Sequence, residues 1–257
     1  MPRKINKNDM IGQTHINFQG LEMTIIGWNS YREVIIEFKK TPKDRRVVSY
    51  LNFKNGSVKN RYFPNIQGVG CVGNASTQDC KYKTKKAYNV WASMILRCYN
   101  RNCNKNKSYE NCSVCEEWLC FENFEKWFDK NYYEVDGEKV HLDKDILIKD
   151  NKEYSPNSCV FVPENINYLF VHERNTNKEL PVGVILRKRK NGVKYLAKIS
   201  IDGKEMQIKS CDTIDDAFNF YKESKENNIK RLAIKYKHQI PQKLYDRLME
   251  YEVTYEY

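Results

Sequence analysis

At 257 residues, with 40% hydrophobic and 13% aromatic side chains, the chain has material for one large core or two to three small ones, which excludes global disorder. No apolar run reaches bilayer length, and the opening "MPRKINKNDM" lacks the apolar segment of a signal peptide, so a soluble, cytoplasmic protein without a membrane partner is expected. A formal charge of +11 points to a polyanionic partner, because each phosphate neutralised releases counterions.

Residues 9 to 72 read as short strands. "LEMTIIGW" and "EVIIEFKK" are rich in β-branched and aromatic residues, and Asn55-Gly56 in "KNGSV" is a turn signal. Several short strands without a long helical pattern predict a small β-barrel or curled sheet, a module spanning 1–75. Within it Lys54, Lys59 and Arg61 read either as phosphate contacts or as ordinary surface charge. The stretch "QGVGCVGNASTQDCKYKTKK" then turns to glycine, small polar and lysine residues and reads as a linker.

The period changes next. Ala87, Val90, Trp91, Met94, Ile95 and Cys98 recur at helical spacing, and Phe121, Phe124, Trp127 and Phe128 form a second amphipathic face. Between them, Cys98, Cys103, Cys112 and Cys115 offer two readings. They are four thiolates at a spacing that a structural zinc site tolerates, or reduced thiols packed as small hydrophobes. The stretch "VHLDKDILIKDNKEYSPNSCVFVPENIN", residues 140–167, reads as strand, polar loop, strand and the start of a helix. Alternate residues of a strand share a face, so His141, Asp143 and Asp145 are expected on one side of the first strand.

"VGVILRKRKNGVKYLAKISIDGKEMQIKS" predicts three strands with turns at Asn191-Gly192 and Asp202-Gly203. "DTIDDAFNFYKES" predicts a helix with Asp212 as cap and Ile214, Ala217, Phe218 and Tyr221 on one face, and "IPQKLYDRLMEYEV" a further short helix. From Arg187 to Lys209 the sheet carries Arg187, Lys188, Arg189, Lys190, Lys194, Lys198, Lys204 and Lys209, opposed by Asp202 and Glu205. A three-stranded sheet backed by one helix leaves its other face open to a major groove. There Arg187 and Arg189 would reach guanine edges while the lysines hold phosphates.

Several spaced motifs occur in order over residues 88–168: "WASMILRCYN", "CEEWLCFENFEKWF", "LDKDI" and "YSPNSCVFVPENIN". In this the chain resembles phage and mobile-element proteins of the divergent HNH endonuclease type. The resemblance implies a ββα domain over 84–175 in which a divalent cation, magnesium, stabilises the scissile phosphate. Carried over position by position, Asp143 is a metal ligand and Asn167 the ligand on the helix. Lys144 stands in the place of the catalytic histidine, and Ser158 in that of the orienting asparagine. A protonated lysine cannot take a proton from water. His141 would then act as base or as ligand, with Asp143 and Asp145 holding magnesium.

Within a module expected over 181–257, the stretch 181–225 resembles the plant ethylene-response-factor (APETALA-two-like) DNA-binding module, with Gly183-Val184, the basic run from Arg187, Tyr195, Ala197-Ile199 and Thr213-Ala217 in place. The stretch departs from it at Tyr195, where tryptophan is usual, and at Ile208-Lys209, which lack Leu-Gly. The nucleic-acid contacts so implied are Arg187, Lys188, Arg189, Lys190, Lys194, Tyr195, Lys198 and Lys209. The N-terminal stretch "NFKNGSVKNRYFPNIQGVG" resembles the small β module that precedes such central segments.

The expected fold is thus α+β in three modules: β-barrel-like, ββα with flanking helices, and sheet plus helix. The first function expected is a phage-type nucleic-acid-binding protein, DNA before RNA, whose HNH-like centre has weak or lost cleavage. The second is a magnesium-dependent homing-type endonuclease using Asp143, Asn167 and His141. The third is a phage inhibitor of a host nucleic-acid-targeting defence complex, such as an anti-CRISPR.

Overall fold

The computed structural model describes residues 7–75, 82–100, 109–170, 179–189 and 192–255. It is mixed α+β and divides into two compact units, Met1–Lys130 with Glu153–Ser155, and Asn131–Lys152 with Pro156–Tyr257. None of the described helices is long and apolar enough to cross a membrane.

In the first unit, β1 (Thr14–Ile16), β2 (Glu22–Ser30), β3 (Glu33–Phe38) and β4 (Thr41–Val48) form an antiparallel meander in chain order. Their alternation buries Met23, Ile25, Val34, Ile36 and Phe38 on one face, closed by Phe53 from α1 (Tyr50–Lys54). β1 and β4 are edges and do not pair, so the expected barrel is an open sheet; four short strands are too few to close. Asn55-Gly56 caps a helix and does not turn a hairpin. The N–H groups of Gly56 and Ser57 return to the carbonyls of Phe53 and Asn52, and Gly56 takes the left-handed φ of +65° that this cap needs.

The same unit holds α2 (Tyr82–Tyr99), β5 (Ser113–Val114), a 3-10 turn (Glu116–Leu119), α3 (Phe121–Asn131) and β7 (Glu153–Tyr154), which pairs with β5 in parallel. The helical spacing holds: Ala87, Trp91, Met94, Ile95, Phe121, Phe124 and Phe128 are buried. Trp91 Nε1 donates to the Trp118 carbonyl at 2.7 Å. The Arg97 guanidinium lies 5.5 Å and 5.9 Å from the ring centroids of Tyr109 and Tyr154. The stretch expected as a linker is in part ordered, since Cys71 forms a β-bridge with Cys120. Two of its glycines, Gly70 and Gly73, serve close approach. A Cβ on Gly73 would lie 2.7 Å from the Cys120 sulfur.

The second unit is organised by one helix. β6 (Val140–Asp143) and β8 (Val160–Pro163) pair antiparallel and lead into α4 (Glu164–Asn167). β9 (Val184–Arg189), β10 (Gly192–Ile201) and β11 (Lys204–Cys211) form a sheet in the order β11-β10-β9, with Asp202 and Gly203 at positive φ in the turn foreseen. α5 (Ile214–Tyr236) follows, then α6 (Gln242–Met249). The first turns of α5 bury Ala217, Phe218 and Tyr221 against Val184, Ala197, Ile199 and Cys211 of the sheet. Its last turns bury Ile229, Leu232, Ala233 and Tyr236 with Val160, Val162, Ile166, Leu244 and Leu248. The ββα segment and the C-terminal sheet therefore share a helix, and the compact units do not divide between 175 and 181, where composition changes. Thr213, not Asp212, caps α5: its Oγ1 accepts from the Asp216 N–H at 3.1 Å.

Gly183 enters the sheet at φ +82°, and a Cβ there would fall 2.1 Å from the Tyr221 ring. Gly183→Ala is expected to cost about 2–4 kcal/mol in urea denaturation, from backbone strain plus displacement of a buried aromatic. Gly203→Ala, whose Cβ would meet open space, should cost only the strain of about 1–2 kcal/mol.

Candidate functional site

β6 delivers Asp143 at its last position, opposite Val160. Asp143 Oδ1 accepts from the backbone N–H groups of Asp145 at 2.9 Å and Ile146 at 2.8 Å, which folds the chain sharply as it leaves the strand. Burial first, and then the neighbouring Asp145 carboxylate, push the Asp143 carboxyl up to about 6. Lys144 is buried. Its Nζ donates to Asp145 Oδ2 at 2.8 Å and to the Asn151 carbonyl at 3.1 Å, while Asn151 Nδ2 returns a bond to the Lys144 carbonyl at 2.7 Å. The residue in the catalytic-histidine place is thus a clamp across the 144–151 loop, held away from solvent. Ser158, in the orienting-asparagine place, is buried with its hydroxyl 4.0 Å from the Cys159 sulfur.

His141 is half-exposed, and its Nε2 lies 3.4 Å from Glu164 Oε1 on the first turn of α4. The expected triplet of His141, Asp143 and Asp145 does not form a ligand set. Among the described residues no three His, Cys, Asp or Glu side chains are grouped to hold a metal ion. Magnesium asks for about six oxygens in near-octahedral order. Here one oxygen of Asp143 is spent on two backbone donors and Asp145 on an ammonium, with Asn167 at the far end of α4. The thiols behave likewise: Cys103 lies outside the described residues, and Cys98, Cys112 and Cys115 join no metal-holding group.

The sheet sorts the basic residues by strand alternation. Tyr195, Ala197 and Ile199 face α5, so Lys194, Leu196 and Lys198 face away from it. Arg187 lies opposite Lys194 and Ile185 opposite Leu196, which places both on that helix-free face. Lys188 pairs with Val193 on the helix side, and Lys209 sits over the Phe220 ring at 4.2 Å from its centroid. Tyr195 packs against the core, and is not a surface ring. Arg189 ends β9 opposite Gly192, and Lys190 lies outside the described residues.

The eight basic positions therefore supply three described outward side chains, because consecutive strand residues cannot share a face. Two of them meet acids: Lys194 pairs with Asp212 and Lys198 with Glu205. Arg187 is exposed and has no acidic partner among the described residues. In the first unit, Arg61 is spent on the buried Asp44 carboxylate at 2.7 Å, which leaves it unsuited to phosphate. The partners that sequence reading missed are Asn151 and Glu164. Neither carries a spacing signal, since each reaches its contact only after the loop and helix have formed.

The Asp143 carboxyl binds its proton more tightly in the folded chain, which is the reverse of a salt-bridged acid. Its contribution is greatest below the usual carboxyl value of 3.8 and is lost as pH rises through about 6. Asp143→Asn keeps an oxygen for both N–H bonds and cannot titrate. The stability of the variant relative to wild type should rise between pH 4 and 6, about the span of that shift, and level off above it, in denaturant titrations across pH.

No protein-family model, curated protein or solved structure matches the chain.

Proposed function

We propose that the chain binds nucleic acid, duplex DNA foremost, on the helix-free face of the β9–β11 sheet, and that its ββα centre braces α5 without cleaving phosphodiesters. The observation that carries this reading is the outward group of Arg187, Lys194 and Lys198 beside the exposed Ile185, whose cross-strand partner Leu196 is itself buried. An arginine fork suits base edges, the exposed Ile185 side chain suits a thymine methyl group, and the lysines suit phosphates. Surface ion pairs such as Lys194–Asp212 and Lys198–Glu205 are worth about 0–1 kcal/mol, so a phosphate displaces them at little cost. The formal charge of +11 and the resemblance of this segment to a DNA-binding sheet module support the same reading. At the centre, a buried lysine where a base is needed, and carboxylates already occupied, support loss of hydrolysis.

Fluorescence anisotropy with labelled duplex DNA, single strands and RNA over a salt series tests the binding. Duplex affinity should fall steeply with salt, and Arg187→Ala plus Lys198→Ala should weaken it about tenfold or more and lower the salt slope by about two. Lys188→Ala plus Lys209→Ala, on the helix side, should change it little. Equal losses from the two double variants, or no binding to any polynucleotide at modest salt, overturns the proposal. Supercoiled plasmid should stay intact with magnesium or manganese; nicking that Asp143→Ala abolishes would replace this reading with a metal-dependent endonuclease.

A further inference from the structure

Cys71 and Cys120 stand directly opposite each other in a parallel β-bridge within the first unit. Two backbone bonds straddle the pair, from Cys71 N–H to the Leu119 carbonyl at 2.9 Å and from Phe121 N–H to the Cys71 carbonyl at 2.8 Å. Residues so opposed on neighbouring strands are about 4.8 Å apart. That lies inside the range of about 4.4–6.8 Å over which a disulfide closes without moving the backbone. The two thiols are hydrogen-bonded to each other, and no disulfide joins them. Gly73 makes the approach feasible: at φ +68° and without a side chain, it lets the strand lie against the Cys120 sulfur.

We propose that Cys71 and Cys120 form a reversible oxidation site, closing to an intramolecular disulfide on exchange with a small-molecule disulfide of the glutathione class. Cys71 is half-exposed and Cys120 buried, so Cys71 is the thiol that a soluble oxidant meets first. The bond that Cys120 gives to Cys71, together with burial and the nearby Glu122 carboxylate, raises the Cys120 thiol above its usual range and keeps it from attacking first. The Cys71 thiolate attacks one sulfur of the oxidant, which leaves one small thiol and a mixed disulfide. Cys120 then loses its proton and attacks the Cys71 sulfur, expelling the second small thiol. Two cysteine thiols are oxidised, one disulfide is reduced to two thiols, and the two protons pass to the departing thiolates.

The bond would tie the strand that leaves the β meander to the start of α3 and enclose α2 in a closed loop. Its test uses the full-length chain incubated with oxidised glutathione, alkylated and digested without reductant. The expected product is one peptide pair joining Cys71 to Cys120, removed by dithiothreitol and absent from Cys71→Ser, with a Tm several degrees above the reduced chain. The Cys71→Ser chain should keep the circular dichroism spectrum of wild type, which separates loss of the bond from loss of the fold. A lasting glutathione adduct on Cys71, pairing of Cys71 with another cysteine, or a Tm unchanged by the cross-link each overturns the proposal.

Discussion

Burial along α5 is the interaction on which the second unit rests. One helix supplies two apolar sets, Ala217, Phe218 and Tyr221 near its start and Ile229, Leu232, Ala233 and Tyr236 near its end. Each fully buried large side chain contributes about 1.5–3 kcal/mol, so neither the three-stranded sheet nor the short ββα hairpin has a core without it. Polar contacts fix its last turns in register. Arg231 bonds Asn228 and Asp202 at the β10–β11 turn, and Tyr236 and Asn165 both bond Glu138. A sheet held by one face against a helix turns its alternate residues, Arg187, Lys194 and Lys198 among them, the other way.

The centre of the ββα segment holds a buried lysine, Lys144, whose ammonium needs partners inside the fold. Here that charge is neutralised by Asp145 and the Asn151 carbonyl, and the lysine becomes part of the loop's own scaffold. Asp143 is drawn into the same task by two backbone donors. These contacts give the loop its shape.

Much of this was legible in the sequence. Helical spacing located α2 and α3, alternation located the strands of both larger sheets, and Asp202-Gly203 marked its hairpin. Asn55-Gly56 was misread because a helix cap and a hairpin turn ask the same left-handed conformation of glycine; only Phe53 and Asn52, with carbonyls left over, decide between them. The glycines of 67–86 resemble linker glycines in composition, yet Gly73 serves close packing. Alternation alone divides Arg187 from Lys188. Lys144 could not be read as buried, because its partner at Asn151 is a backbone carbonyl brought near only by loop closure.

The motifs that carry the resemblance to HNH-type proteins have a physical reading that is independent of cleavage. Trp91 anchors α2 to the 3-10 turn through the Trp118 carbonyl. Arg97 sits against the rings of Tyr109 and Tyr154, and the Tyr99 hydroxyl accepts from the Val114 N–H at 3.1 Å. Tyr154, the tyrosine of "YSPNSC", is buried in that same unit. These residues hold helices and short strands together whether or not a phosphate is ever attacked. Hydrolysis would be decided by different positions, 141, 143, 144 and 158, where the side chains are engaged with Glu164, with the loop backbone, with Asp145 or with Cys159. The two sets make separate contacts, so loss of hydrolysis at those four positions would leave the packing of Trp91, Arg97 and Tyr154 in the first unit untouched, and likewise the packing of β6 and β8 on α5 in the second.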